Sequence, residues 1–364
     1  MSGEQLKISV GTPMIVSKSR SWHWYPSIRK MRDGSLLLVF SIMADALPES
    51  IVKPHHVMVR SQDAGNSWYF HRYLYFPTTV AGDAHVCAQL SDGMVLELPN
   101  NVHVLGDEEY RVPYWKSDDD GKTFLGPYDA RLRLAKGSIE TAPAMGRMLA
   151  NVRIYRSIIE LDNGDLLASM YGKFKGEKKY RSFLIKSTDR GESWSYLSTI
   201  AYNPNVGTEG FCEPAMGLLK NGEILCMMRT GSGEPLYQSR SSDHGKRWSN
   251  PVPTSARGVD PDLFVMKSGI IACSYGRLQP RKEIEPSISL DPKLPASMGV
   301  QIMFSTDEGA SWTNHTTVYA GPSTGYTGIE EMRKGELIQT FDTLGYGWHP
   351  YNTIRTVNVR VIQE

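Results

Sequence analysis

No apolar run in the 364 residues approaches the roughly 18 that a membrane-spanning helix needs. Charge of one sign is also missing: 40 Lys and Arg meet 39 Asp and Glu, a formal net charge of +1. That balance exerts no global pull toward nucleic acid or an anionic membrane, so any charge recognition must be local. Cysteine is scarce. Cys87, Cys212, Cys226 and Cys273 fall in apolar, strand-like runs without metal-ligand spacing, and read as buried free thiols. Neither Gly-x-Gly-x-x-Gly after a strand nor His-Glu-x-x-His is present, so no nucleotide, metal or redox cofactor is expected. The opening Met-Ser-Gly-Glu-Gln-Leu-Lys lacks the apolar core of a signal peptide. The expectation is a cytoplasmic chain, or a secreted one if a leader has been removed. Hydrophobic content of 40% with 22% charged residues is that of a globular protein.

What the chain does have is repetition. Ser187-x-Asp189-x-Gly191-x-x-Trp194 recurs as Ser61-x-Asp63-x-Gly65-x-x-Trp68, Ser241-x-Asp243-x-Gly245-x-x-Trp248 and Ser305-x-Asp307-x-Gly309-x-x-Trp312. Ser117-x-Asp119-x-Gly121-x-x-Phe124 fits with Phe for Trp. Such a period means one supersecondary unit per repeat. Asp-x-Gly is turn chemistry: the carboxylate bonds nearby backbone N–H groups and Gly accepts positive φ. Each box therefore predicts a hairpin turn, with the aromatic plugging the unit's outer core. Calcium is a poor alternative, because one carboxylate per box falls short of the six or more oxygens it takes.

A second repeat runs out of phase. Apolar strand, Gly, apolar strand recurs at Pro26 to Gly34, His85 to Gly93, Arg156 to Gly164, Pro214 to Gly222, Pro261 to Gly269 and Thr327 to Gly335. Five copies are followed by a box; the sixth is followed by the C-terminus. Six such hairpins arranged radially predict an all-β, six-bladed β-propeller of four-stranded antiparallel blades, as one domain over residues 1–364. Leu6 to Val16 and Thr353 to Ile362 both read as strand, and are expected to share the last blade and close the ring. The segments 45–54, 126–151 and 277–298 read as long loops that rim a pocket.

In a radial ring the first strand of each blade lines the axis. The residues that converge there are Trp24 and Tyr25; Asp83 and His85; Arg153, Tyr155 and Arg156; Glu209 and Glu213; Asp260 and Asp262; and Tyr326. A purely structural ring would be small and apolar, so this polar and aromatic set predicts a site.

Asp boxes on six blades resemble the sialidase (neuraminidase) superfamily over nearly the whole chain. In Gly325-Tyr326-Thr327-Gly328 the resemblance implies that Tyr326 is a nucleophile. In Cys212-Glu213-Pro214 it implies that Glu213 is the base activating it. The pairing is chemically sound, because a phenol of pKa about 10 needs a nearby carboxylate to take its proton. Arg229 and Arg277 match arginines of the sialidase carboxylate clamp, and Arg suits that task through parallel charge-assisted bonds. The chain departs from the family at His23-Trp24-Tyr25-Pro26, where Trp24 stands in place of the clamp's third Arg. Trp24 would offer a stacking face instead. The resemblance assigns the acid/base role to Asp45, with Glu49, His55 and His56 close by.

Together these imply an exo-acting glycoside hydrolase on a carbohydrate with a terminal acidic sugar, other than a standard sialoside. Two alternatives stand beside it. One is a polysaccharide lyase on uronic-acid glycans, using His85, His103, Tyr155 and Arg153. The other is a non-catalytic glycan-binding propeller. The sequence does not fix the oligomeric state.

Overall fold

The computed structural model describes residues 6–43, 55–74, 85–105, 109–134, 139, 141–144, 147–277, 298–345 and 351–363. The chain is all-β, and no helix occurs among the described residues. Each nine-residue repeat forms the hairpin between the first two strands of a unit. In unit 1 these are Trp22–Lys30 and Leu36–Met43, followed by His55–Ser61 and Tyr69–Leu74. Unit 4 runs Cys212–Leu218, Ile224–Arg229, Pro235–Ser241 and Val252–Arg257. Unit 5 runs Val259–Val265, Ile271–Arg277, Gly299–Ser305 and Thr313–Ala320. These three are separate four-stranded sheets in simple up-and-down order.

Unit 6 contains Thr327–Arg333, Glu336–Thr343 and Asn352–Gln363. Its last strand pairs with both N-terminal strands, Leu6–Val10 along one half and Met14–Ser19 along the other. The two ends of the chain thus share one sheet, which joins N- and C-terminal segments without a covalent link.

Units 2 and 3 depart from a simple repeat. Unit 2 comprises His85–Gln89, Val95–Pro99, Glu109–Ser117 and Leu125–Arg133. Unit 3 comprises Arg147–Glu160, Leu166–Gly172, Arg181–Ser187 and Ser193–Ala201. An added strand, Asn101–Val104, pairs with Glu109–Ser117 on one side and Arg147–Glu160 on the other, and the two outer strands pair in parallel. The result is one ten-stranded sheet. The stretch 126–151, expected as a loop, therefore carries strand: Leu125–Arg133, Thr141–Ala144 and the start of Arg147–Glu160. Its Ala142-Pro143 segment reads as a breaker, yet pairs antiparallel with Met148 and Leu149.

Two of the second strands contain unbroken apolar runs. Leu36–Phe40 and Ile224–Met228 are buried throughout, because each sheet is covered on both faces. Unit 1 packs on unit 2 through Leu37, Val39, Val95 and Trp115. Unit 2 packs on unit 3 through Leu96, Leu98, Ala168 and Met170. Units 3 and 4 share Leu167, Leu184, Cys226 and Met228. Units 4 and 5 share Leu225, Met227, Ile271 and Cys273. Units 5 and 6 share Ala272, Phe304, Leu337 and Phe341, and units 6 and 1 share Ile338, Ile354, Leu36 and Leu38. The first strands touch one another in the same cyclic order. Fourth strands face outward and are mostly exposed, as in Val252–Arg257. All four cysteines are free and buried in these layers.

The five boxes are alike in atomic detail. Each lies between third and fourth strands. In Ser187–Trp194, Ser187 Oγ accepts from Gly191 N at 2.8 Å and donates to Asp189 Oδ1 at 2.7 Å. Asp189 Oδ1 also accepts from Ser193 N at 2.9 Å. Left-handed backbone falls on the residue before the Gly as well as on the Gly, at Ala64, Asp120, Arg190, His244 and Glu308. The indole N–H of Trp194 closes the turn on Gly191 O at 3.1 Å.

Candidate functional site

Four first strands carry a bulge at the same place in the repeat. The register slips between Trp24 and Ser27, Ile154 and Ile158, Cys212 and Ala215, and Val259 and Asp262. Within each slip one non-glycine residue has a left-handed backbone: Tyr25 (φ 55°), Arg156 (φ 58°), Glu213 (φ 48°) and Asp260 (φ 49°). Such a conformation costs about 1–3 kcal/mol per residue and persists only where the surroundings over-determine it. A bulge also re-aims its side chain. Here the four bulges gather their side chains at one end of the first strands.

Asp260, wholly buried, is the hub. It accepts from the Tyr155 hydroxyl and from the Arg156 guanidinium through both of its oxygens. Thr327 N, next to Tyr326, donates to Asp260 Oδ2 at 2.7 Å. Asp260 N donates to Glu213 Oε2 at 2.9 Å. Arg156 Nη1 reaches across to Pro26 O at 3.2 Å. The carboxylate thus joins units 3, 5 and 6, while the Asp260 N–H adds unit 4 and Arg156 adds unit 1. Burial pushes Asp260 up to about 7, against the pull of Arg156, and the Glu213 carboxylate adds to the rise. Burial works against the charge of Arg156, and Asp260 more than restores it.

Glu213 is 4% exposed. Its Oε1 accepts from Arg229 Nη1 at 2.8 Å, and its Oε2 holds Asp260 N. Each oxygen keeps a further lone pair for another donor. Arg229 Nη2 donates to Glu209 Oε1 at 2.9 Å and to Ser232 Oγ at 3.3 Å. Both terminal nitrogens of Arg229, expected in a clamp for substrate, are therefore engaged by carboxylates of the protein itself.

Tyr326 is half-buried, and its ring centroid lies 4.2 Å from that of Tyr25. Its hydroxyl has no hydrogen-bond partner among the described residues. Burial raises its pKa well above the ordinary phenol value; the Tyr25 and Glu213 neighbours add to this and Arg229 opposes it. The loop before it is pinned by Asp342, which accepts from Thr324 N at 2.9 Å and Thr324 Oγ1 at 2.7 Å. Gly276 is required here: a Cβ would lie 2.1 Å from Gly325 O. Trp24 is half-buried between Trp22, at 5.1 Å, and Tyr25, at 5.8 Å.

The other expected residues fall as follows. Tyr155 is 1% exposed and committed to Asp260, and His103 is buried in the added strand, so neither presents a surface to a polymer. Arg153 is half-buried, with Nη1 on Val152 O at 2.9 Å. Arg277 is exposed at the end of its strand, following the Gly276 that packs on Gly325. Asp262 accepts from Ile329 N at 3.0 Å and faces Arg29 at 3.8 Å. His85 begins a strand, but its side chain, like Asp45, Glu49 and Asp83, lies outside the described residues.

Reading only first strands misses Tyr171, on a second strand, whose ring stacks edge-on to Tyr155 at 5.5 Å and to Tyr180 at 5.4 Å. Glu97, on a second strand, and Glu330, past the start of a first strand, also escape; both are buried beside Arg29 and pushed up by burial to about 8 and about 7. Among the described residues no group of three His, Cys, Asp or Glu is placed to hold a metal ion. A groove lined by Leu219, Lys220, Val265, Ile270 and Glu308 opens at the other end of the first strands. It contains none of the buried carboxylates, which locate the site instead.

A ring of antiparallel sheets closed by its own termini, with Asp boxes at five of its outer turns, defines an Asp-box repeat protein. The family model described as a BNR repeat-like domain matches residues 81–338, and the chain belongs to that family. No curated protein matches the sequence. Among solved structures, a protein of unknown function from Dyadobacter fermentans is similar with a TM-score of 0.77 at 18% identity, covering 98% of this chain and 99% of that one. The GH93 α-L-arabinofuranosidase of Fusarium graminearum, solved with arabinobiose, gives 0.67 at 14% identity, covering 97% and 98%. A mutant of the NanB sialidase from Streptococcus pneumoniae gives 0.63 at 12% identity, covering 97% and 70%. At these identities the likeness is one of fold.

Proposed function

We propose that the chain is a single-domain, six-bladed β-propeller that works as an exo-acting glycoside hydrolase of the sialidase superfamily. The two activities named among the fold relatives, sialidase and arabinofuranosidase, are both glycosidases, which supports the class. The observation that carries the reading is Tyr326: an unbonded phenol beside a cluster that holds Glu213 in place.

In this reading Glu213 takes the phenol proton on a free lone pair. The Tyr326 oxygen attacks the anomeric carbon, and the glycosidic C–O bond breaks. An acid gives its proton to the departing oxygen; the resemblance assigns that acid to Asp45. Water then attacks the anomeric carbon and gives a proton back to the acid, the bond to Tyr326 breaks, and Glu213 returns the phenol its proton. Tyr is a known alternative to the two-carboxylate pattern of glycosidases. The arginines expected to meet an acidic sugar reduce to Arg277, because Arg229 is held by Glu213 and Glu209.

The test is kinetic. Tyr326→Phe removes the oxygen and keeps the ring; Glu213→Gln cannot take the proton. Each should lower kcat by about a thousandfold or more with folding intact. The double variant should be scarcely worse than either, since both residues serve one step. Full activity in Tyr326→Phe would sink the assignment.

A further inference from the structure

The charges around Tyr326 say more about the sugar than its catalytic pair does. Glu209, Glu213 and Asp260 supply three carboxylates, and the guanidiniums bonded to them are Arg229 and Arg156. Arg229 spends one terminal nitrogen on Glu213 and the other on Glu209 and Ser232. Arg156 spends itself on Asp260 and the carbonyl of Pro26. Arg29, the next guanidinium along the ring, donates to the carbonyls of Ile28, Cys87 and Arg156. The three carboxylates thus outnumber Arg229 and Arg156, the guanidiniums seen to bond them among the described residues. A second anion would meet like charge in surroundings that screen it poorly. Arg277 does not alter this, because a lone exposed cation in water contributes little. The wall facing this cluster is aromatic: Trp24, Tyr25 and Tyr326 stand ring against ring.

We infer that the sugar bound at Tyr326 is uncharged: its ring packs on the aromatic wall of Trp24, Tyr25 and Tyr326, and its hydroxyls donate to Glu209. This replaces the acidic terminal sugar expected from the sequence. Glu209 is suited to the part, since its side chain is 34% exposed and so open to a ligand, while Glu213 is buried. A flat apolar sugar face stacks on such rings, whereas a carboxylate would have to share Arg229, whose terminal nitrogens already bond Glu213, Glu209 and Ser232. The binding claim stands on geometry alone, and only the cleavage of what binds rests on the hydrolase reading.

The experiment uses an array of oligosaccharides in matched pairs. One member of each pair ends in a neutral pentose or hexose, the other in the corresponding uronic acid or in sialic acid. The Tyr326→Phe chain is the probe, so that binding outlasts turnover. Neutral members should bind at least about tenfold more tightly than their acidic partners. Trp24→Ala should abolish most of that binding. Glu209→Gln, which removes one of the three negative charges, should raise binding of the acidic members about tenfold. Tighter binding of acidic members by the probe, or binding of no glycan, overturns the inference. Wild-type chain is then given the tightest ligand and reducing ends are measured. Neutral binding without cleavage leaves this inference standing and removes the hydrolase reading. Cleavage of an acidic ligand does the reverse.

Discussion

Asp260 joins five units, and its neighbours show what a single buried charge contributes. Arg156 is 2% exposed, and its counter-charge is this one carboxylate. Asp260→Asn would keep the shape and leave a buried guanidinium unpaired, at a cost of about 3–5 kcal/mol. Urea unfolding should show that loss as a lower midpoint; an unchanged midpoint would mean that Asp260 is not the hub. Its backbone N–H also fixes Glu213, so the bulge geometry and the charge act on the same atoms. Polar residues just before each nine-residue repeat made Glu213, Asp260 and Tyr326 legible in the sequence, because position in a repeat maps to position in the ring. Partner choice was not legible. Nothing in the spacing of Glu209, Glu213 and Arg229 says that the arginine closes on both acids rather than staying open to a ligand. Tyr171 escaped for a simpler reason, since it lies on a strand whose repeat position points away from the axis.

The Asp box is the element most fully specified by local sequence. Its bonds run between residues two and four apart, so spacing alone determines them. Ser187 is 1% exposed and satisfies Gly191 N. Ser187→Ala leaves that N–H without its acceptor and should cost about 1–3 kcal/mol. The melting temperature should fall while activity at low temperature is retained; a stable but inactive variant would make the box part of the chemistry. Less local elements were less legible. The strand Asn101–Val104 joins units 2 and 3 by pairing with residues far along the chain. Unit 3 also sets three bulge residues against one, where units 1, 4 and 5 set two. That shifts Arg156, rather than Tyr155, into the left-handed position, a change that no repeat pattern foretells.

At the scale of the whole molecule, buried carboxyls govern the response to pH. Burial raises Asp342 to about 6, Glu330 to about 7 and Glu97 to about 8. A raised folded pKa means that the folded chain holds protons the unfolded chain has lost. Stability from these groups is full below about pH 4, the unfolded carboxyl range, and is lost as pH rises from there to about 8. The box carboxylates act at the other end: bonds from Ser67 hold Asp63 at about 2, and Thr123 holds Asp119 at about 2 against burial. Their contribution is present above about pH 4 and is lost as pH falls toward 2. Burial lowers His23, which opposes the carboxyls with a smaller shift. The melting temperature should therefore peak near about pH 4 and be lower at about pH 8.5. A profile that climbs steadily from pH 5 to 8.5 would contradict this, and calorimetry in buffers of matched ionic strength decides it. The ring itself was legible because its period and its closing strands are written in short apolar runs.

The chemistry can be read most directly as mass. Wild-type chain is mixed with a tightly bound glycan, quenched in acid within milliseconds and digested, and the peptide carrying Tyr326 is weighed. A Tyr nucleophile predicts one added glycosyl residue on Tyr326, absent from Tyr326→Phe. Turnover with an unmodified Tyr326 peptide, or with the added mass on another residue, would contradict it.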